Sequence, residues 1–263
     1  MNNTDTGARW IRAALQVNPF TYEGRNSPKN FFENEVAYNS ALLDECEKLG
    51  IGMIAVTDHW CVDSASGLIA AAEDRGIVAL PGFEANSSEG IHILVLFEAG
   101  TPFATVNAAI GKCGADPGCD NGTTGEPYAK IMEQMTAAGA LSIPAHVNAP
   151  PAGLLTTRSG QPLATLIRHK DLHAIGVSPG REPAKDQESV VAGVGIFERA
   201  HPLAVIHADD VMGPRQLGQP GASTWFKVSS CSLESLKLAV RTPETRVSLD
   251  DPQSKLQPRI KSV

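Results

Sequence analysis

The sequence has no long apolar segment. No stretch approaches the roughly 18 consecutive apolar residues that a membrane-spanning helix needs, and the first residues lack the layout of a signal peptide. There is also no Cys-x-x-Cys pair, and an odd number of cysteines is typical of reduced thiols in a reducing compartment. We therefore expect a cytoplasmic protein with no membrane partner. The cysteines are Cys46, Cys61, Cys113, Cys119 and Cys231.

Positive charge is scarce as well. The formal net charge is -7, which argues against non-specific binding of nucleic acid through bulk charge but is compatible with a local basic groove. Hydrophobic residues make up 42% of the chain, enough to bury a full core. A length of 263 residues suits one large α/β domain better than two small ones.

The sequence instead contains a repeated alternation of helix-like and strand-like segments. "NEVAYNSALLDECEKLG" precedes the apolar run "IGMIAV", "SGLIAAAEDRG" precedes "IVALPGFEA", and "PYAKIMEQMTAAG" precedes "ALSIPAHVN". Such alternation predicts a mainly parallel sheet with helical crossovers. We expect an α/β fold, a distorted (β/α)7 TIM-like barrel, with an open doubly wound sheet as the alternative. The barrel domain is expected to span residues 1–249, and the polar residues 250–263 to form a C-terminal tail.

Titratable side chains lie at the ends of several predicted strands. Because the ends of barrel strands converge on one rim, carboxylates and imidazoles placed there are suited to bind Zn²⁺, Mn²⁺ or Fe. Each residue also has an ordinary structural interpretation, since a histidine at a strand end usually makes a hydrogen bond, Asp58 would cap a turn and Glu84 a loop. The repeated placement favours a divalent metal site. The residues are Asp58, His59, Glu84, His146, Asp209 and Asp210, with His92 at the start of a further apolar run.

Five stretches, in order along the chain, resemble the motifs of the PHP domain family, named for polymerases and histidinol phosphatase. They are "IAVTDHW", "LPGFEA", "GIHILVLF", "IPAHVN" and "VIHADDVMGPRQLGQPGASTWFKV", and the resemblance spans roughly Trp10 to Val247. It implies a distorted seven-stranded β/α barrel with up to three metal ions on one rim, which hydrolyses phosphoesters. It also implies that Glu84 bridges two ions, and that Asp210 matches the aspartate of the last motif, with Asp209 as the alternative. The implied metal ligands are Glu84, His92, His146, His59 and Asp210, and the implied catalytic residues are Asp58, His59 and Asp210.

The first motif of the family, Asp-Leu-His-x-His-Thr, is altered in this chain. The sequence reads "ALQVNP", so Gln16 and Asn18 stand at the two histidine positions and Ala14 stands at the aspartate position. Met212 occupies the place of the last histidine. A neutral amide is a weaker donor than imidazole for Zn²⁺ or Fe, so we expect one or two divalent ions.

Three functions are compatible with these residues. The first is a PHP-type phosphoesterase with a reduced metal site, acting on a phosphorylated small molecule or a nucleic acid. The second is a catalytically degenerate PHP domain that serves as a binding or regulatory module for an SMC- or ABC-like ATPase, in the same or a partner chain. The stretches "TWFKV" and "LQPRI" resemble the segment that leads into such an ATPase, although the chain contains no Walker-type phosphate loop. The third is a barrel of unrelated chemistry, such as an amidohydrolase-like enzyme.

Overall fold

The computed structural model describes residues 7–23, 26–118, 122 and 124–252. Its strands are β1 Arg9–Val17, β2 Ile51–Val56, β3 Val78–Asn86, β4 His92–Leu96, β5 Leu141–Pro144, β6 Ala174–Gly176, β7 Ala204–Ile206, β8 Thr224–Val228 and β9 Val247–Ser248. Its α-helices are α1 Glu35–Leu49, α2 Ser66–Asp74, α3 Phe103–Lys112, α4 Tyr128–Ala137, α5 Leu154–Thr157, α6 Gly160–Ile167, α7 Gln187–Ala192, α8 Pro214–Leu217, α9 Leu233–Arg241 and α10 Pro243–Arg246. Most of the predicted tail, residues 253–263, lies outside the described residues, and the boundary at 249 stays a prediction.

Helix α1 shows how the sequence sets the limits of these elements. The side chain of Asn34 accepts a hydrogen bond from the backbone N–H of Ala37, which caps the first turn. Gly50 ends the helix with a φ of 66°, a left-handed conformation that glycine adopts without a Cβ clash. The chain then enters β2 directly, as the sequence predicts.

The strands form a seven-stranded sheet in the order β5-β4-β3-β2-β1-β8-β9 and a two-stranded sheet of β6 and β7. The predicted α/β class is confirmed. The prediction of a mainly parallel sheet is wrong, because β4 runs antiparallel to β3 and β5, and β8 runs antiparallel to β1 and β9. The reason for the reversal at β4 is its connection: only residues 87–91 separate β3 from β4, which is long enough for a hairpin and too short for a helical crossover.

Backbone hydrogen bonds join the two sheets on both sides. After β5, the N–H of Val147 donates to the carbonyl of Gly176 at 2.8 Å. After β7, Val211 donates to the carbonyl of Gln16 at 2.9 Å and accepts from the N–H of Asn18 at 2.9 Å. The sheet is therefore strongly curled, and a complete (β/α)7 barrel stays a prediction.

Apolar side chains pack on both faces of the curled sheet. One cluster, which includes Leu15, Met53, Leu94 and Ile206, is formed largely by strand residues. Two further clusters pack the helices against the sheet, and α3, which the sequence pattern does not predict, belongs to one of them through Val106. Within the described residues, no helix combines the length and the apolar character needed to cross a membrane.

Candidate metal centre

Glu84, His92 and His146 are brought together by the reversed strand β4. Glu84 lies near the end of β3, and the antiparallel register places the first residue of β4, His92, opposite Asn86 at the same rim. His146 follows the end of β5, where the N–H of Ala145 donates to the carbonyl of His92 at 3.0 Å. A histidine at the start of a strand therefore reaches the same rim as residues at the ends of the neighbouring strands.

The backbone of His146 is strained. Its φ is +33°, a value rarely adopted by residues with a Cβ and one that costs of the order of 1–3 kcal/mol. The flanking hydrogen bonds of Ala145 and Val147 hold this conformation in place. Such strain is common where a side chain must reach a functional site.

The three ligand atoms form a compact triangle. Glu84 Oε1 lies 3.0 Å from His92 Nδ1 and 3.8 Å from His146 Nε2, and the two imidazole nitrogens are 3.3 Å apart. A point equidistant from three atoms with these separations lies about 2.0 Å from each, which is the length of Zn–N and Zn–O bonds in proteins. The separations of the three atoms are therefore compatible with their coordination of one divalent ion.

The electrostatics of the cluster also favour a cation. Glu84 is 3% exposed, and burial alone would raise the pKa of its carboxyl. The hydrogen bond from His92 and the charges of His92, His146 and His59 outweigh burial and lower the pKa of Glu84 from 4.5 to about 2. Burial lowers the pKa of His92, but the hydrogen bond to Glu84 and its negative charge raise it overall. The carboxylate thus stays ionised, with the partly exposed imidazoles between it and solvent.

His59 lies on the other side of Glu84. Its Nδ1 is 3.5 Å from Glu84 Oε2, so the two carboxylate oxygens face different imidazoles. Asp58 is held locally instead: it accepts hydrogen bonds from the N–H of His59 at 2.8 Å and from the Ser64 hydroxyl at 3.0 Å. Burial, with a smaller contribution from Glu84, raises the pKa of Asp58 despite these bonds. The geometry of Asp58 is that of a residue that caps the turn after β2.

Gln16 and Asn18 point at Asp210. Gln16 Nε2 lies 3.0 Å and Asn18 Nδ2 lies 3.1 Å from Asp210 Oδ1. Because an ionised carboxylate has only acceptors, both amides donate to it through their NH₂ groups. Burial and the charge of Glu84 raise the pKa of Asp210, while the bond from Asn18 acts in the opposite direction. Gln16 Oε1 is buried and has no hydrogen-bond partner among the described residues.

Asp209 and Met212 lie away from this cluster of side chains. Asp209 accepts a hydrogen bond from the Ser178 hydroxyl at 2.5 Å, so Asp210 and not its neighbour faces the two amides. The backbone N–H of Met212 donates to Gln216 Oε1 at 2.8 Å, and Met212 is one of the residues that line a cavity of about 500 Å³.

No motif in the sequence indicates a role for Tyr22. Its ring lies 5.9 Å from the ring of His59, centroid to centroid, after a turn in which its N–H donates to the carbonyl of Pro19. Burial and the charges of Asp210, Glu84 and Asp58 raise the pKa of Tyr22. Its phenol therefore stays protonated beside the acidic groups. Tyr22 lies shortly after the first predicted strand, and that position is the one feature of the sequence that could have indicated its role.

No family profile and no curated protein matches the sequence, but solved structures share its fold. A two-domain protein from Bacteroides vulgatus, containing a predicted PHP-like metal-dependent phosphoesterase, is 15% identical with a TM-score of 0.60, over 92% of this chain and 64% of that one. The lesion-specific endonuclease Q of Pyrococcus furiosus is 13% identical with a TM-score of 0.63, over 90% of this chain and 57% of that one. An inferred metal-dependent phosphoesterase from Bifidobacterium adolescentis is 15% identical with a TM-score of 0.51, over 80% and 89%.

The chain thus spans less than two thirds of the length of the first two of these proteins. At such low identities the similarity establishes the fold and not the activity. It agrees with the resemblance of the five sequence motifs: the chain has the fold of the PHP-like metal-dependent phosphoesterases.

Proposed function

We propose that the protein is a metal-dependent hydrolase of phosphoesters. The observation that carries the proposal is the triangle of Glu84, His92 and His146, whose ligand atoms all lie within 4.8 Å of one another. Two imidazoles and one carboxylate are the ligand set of several zinc hydrolases, which leave a position open for water or substrate. A divalent ion held there would supply a Lewis acid for a phosphoryl oxygen and acidify water at neutral pH.

In this proposal the first ion is bound more tightly than any second one. A second ion would have Glu84 Oε2, His59 Nδ1 and Asp210 available, but Asp210 already accepts two amide hydrogen bonds. Binding there must break or rearrange those bonds. The ion would be Zn²⁺, Mn²⁺ or Fe, since all three accept imidazole and carboxylate together.

The other residues of the rim would orient the substrate and move protons. His59 is the imidazole outside the triangle, and its proposed role is to give a proton to the leaving oxygen. Asp210, fixed by Gln16 and Asn18, would orient the attacking water or the substrate. The role of Asp58, proposed from the motif resemblance, is indirect, because its carboxylate holds the backbone of His59.

Hydrolysis of generic substrates tests this function. We expect the protein with Mn²⁺ or Zn²⁺ to hydrolyse bis(p-nitrophenyl) phosphate or p-nitrophenyl phosphate, and His146→Ala to lose this activity at least about 100-fold. His201→Ala is the matched control, because His201 is exposed and contacts His173 away from the rim. Equal activity of wild type and His146→Ala, or no metal dependence, would contradict the proposal.

The alternative is a PHP domain that binds a phosphorylated ligand and does not cleave it. The observation that favours it is the use of Gln16 and Asn18 as hydrogen-bond donors to Asp210, where the family motif has two histidines. It predicts metal-independent binding of phosphorylated ligands and no turnover. The association with an SMC- or ABC-like ATPase stays a prediction from the sequence resemblance, and a nucleic-acid substrate, like that of an endonuclease, stays a proposal.

A further inference from the structure

A cavity of about 150 Å³ lies at the end of β5 opposite to the candidate metal centre. Ser142, in β5, and His173, directly before β6, both line this cavity. His146 follows Ser142 by four positions along β5, which places the two residues on the order of 10 Å apart. The cavity is therefore separate from the cluster that Glu84, His92 and His146 form.

Two buried polar atoms at this cavity lack a hydrogen-bond partner. They are the hydroxyl oxygen of Ser142, a residue that is 4% exposed, and Nδ1 of His173, and neither bonds to any residue that the structure describes. An unpaired polar atom inside a protein costs free energy, so such atoms usually contact a ligand or an ordered water molecule. Because Ser142 and His173 line the same cavity, one ligand there can satisfy both.

The positive charge at this cavity comes from Arg241, in the last turn of α9. Its side chain is exposed and makes no hydrogen bond or ion pair with any residue in the described part of the chain. A cation in the last turn offsets the partial negative charge of a helix C-terminus, but that role occupies none of the N–H donors of the guanidinium. Burial and the charge of Arg241 lower the pKa of His173, so an anion between the two groups would relieve their repulsion.

The carboxylates at the cavity do not neutralise Arg241. Asp171 lies 2.9 Å from Nζ of Lys170, and Glu234 lies 2.6 Å from Nζ of Lys237. Each acidic side chain is thus paired with a lysine. Among the described residues that line the cavity, Arg241 is the cation that has no acidic partner.

We propose that this cavity is a second ligand site, which binds a phosphate group away from the metal centre. Donors on three separate elements, Ser142, His173 and Arg241, suit a tetrahedral anion. A carboxylate that pairs with both arms of a guanidinium uses both of its oxygens, which leaves none for the hydroxyl and the imidazole. The volume equals that of about five molecules of liquid water, enough for one phosphate ion. The inference does not depend on hydrolysis at the rim.

Titration of the metal-free protein with inorganic phosphate tests the inference. Calorimetry in EDTA keeps metal ions from attracting phosphate to the rim. We expect phosphate to bind more tightly than acetate, and Arg241→Gln to weaken phosphate binding at least about 10-fold, because it removes charge-assisted hydrogen bonds. Arg181→Gln is the matched control: it removes the same charge from an exposed position after β6 and should leave the affinity unchanged.

Ser142→Ala separates binding from folding. Its hydroxyl is buried without a partner, so its removal should not lower the free energy of unfolding, which urea unfolding measures. The same variant should weaken phosphate binding about 5- to 10-fold. Lower stability together with unchanged phosphate affinity would overturn the assignment, because the hydroxyl would then bond to ordered water alone.

The phosphate group can belong to the free ion or to a small ester. Titration with glycerol 3-phosphate distinguishes these two sources. Binding as tight as that of inorganic phosphate would identify an ester as the ligand, and weaker binding would identify the free ion. Both results retain the site, since both require the same donors.

Nuclear magnetic resonance locates the bound ion. Phosphate should shift the imidazole signals of His173, which are identified by their absence in His173→Gln, and should leave those of His92 in place. No phosphate binding, equal affinity for acetate, unchanged affinity in Arg241→Gln, or a shift at His92 alone would each overturn the inference. Because the rim is free of metal in these experiments, a lack of hydrolase activity would not change their outcome, and the two proposals fail separately.

Discussion

Replacing Glu84 with glutamine removes a buried negative charge that faces three imidazoles and keeps the shape of the side chain. In the metal-free protein the pKa of Glu84 is lowered from 4.5 to about 2, and a difference of about 2.5 units corresponds to about 3 kcal/mol of pH-dependent stability. Because the folded-state pKa is lowered, this stability is present above pH 4.5 and is lost as the pH falls towards 2. The raised pKa of His92 reflects the same ion pair, whose contribution fades as the pH rises above the ordinary value of 6.5.

The assay is urea unfolding in EDTA, from about pH 3 to about pH 8, for wild type and Glu84→Gln. We expect the wild type to be more stable by about 2–3 kcal/mol near pH 5–6, with the two curves converging at low pH. Glu23→Gln is the control, because its carboxylate is 87% exposed beside Lys29 and should matter little. Parallel curves for wild type and Glu84→Gln across the acid range would refute the assigned electrostatics of the cluster.

Two further substitutions test the rim and the hairpin that builds it. Gln16→His combined with Asn18→His should raise the metal content from about one towards two ions per chain, because Asp210 would then face two imidazoles. Elemental analysis measures this content. No gain in the double variant would mean that the pocket cannot accept a second ion. Gly82→Ala should lower the free energy of unfolding by about 1–3 kcal/mol, since the added Cβ would lie 2.6 Å from a backbone carbonyl oxygen of β4. Urea unfolding measures this free energy. Gly52→Ala, with nothing within 4 Å of the added Cβ, should leave stability nearly unchanged; an equal loss in both variants would show that the close approach is not the cause.

The site residues could be predicted because titratable side chains follow several of the apolar runs that the sequence marks as strands. Glu84 lies near the end of β3 and His146 follows β5, and the apolar runs in the sequence predict both positions. The reversal of β4 was not predicted, although "NSSEG" before His92 is a turn sequence short enough for a hairpin. An alternation of helices and strands determines the class of a fold better than it determines the direction of each strand.

The contacts of the amides and the cavity could not be read from the sequence. The motif resemblance shows that Gln16 and Asn18 stand where the family motif has histidines. Only the structure shows that both amides donate hydrogen bonds to Asp210. The cavity of about 500 Å³ is lined by residues 26, 31, 32 and 212–216, which are far apart in sequence. Exposure of Phe31 is likewise a tertiary property, because an apolar residue in a sequence predicts burial.

In the proposed function, Glu84, His92 and His146 bind one divalent ion. The most direct test is the metal content of the purified protein after exposure to Zn²⁺ or Mn²⁺ and removal of free ions, measured by elemental analysis for wild type and His146→Ala. We predict about one tightly held ion per chain in the wild type and nearly none in His146→Ala. A wild-type protein without stoichiometric metal, or a His146→Ala variant that keeps it, would contradict the assignment of these residues as metal ligands.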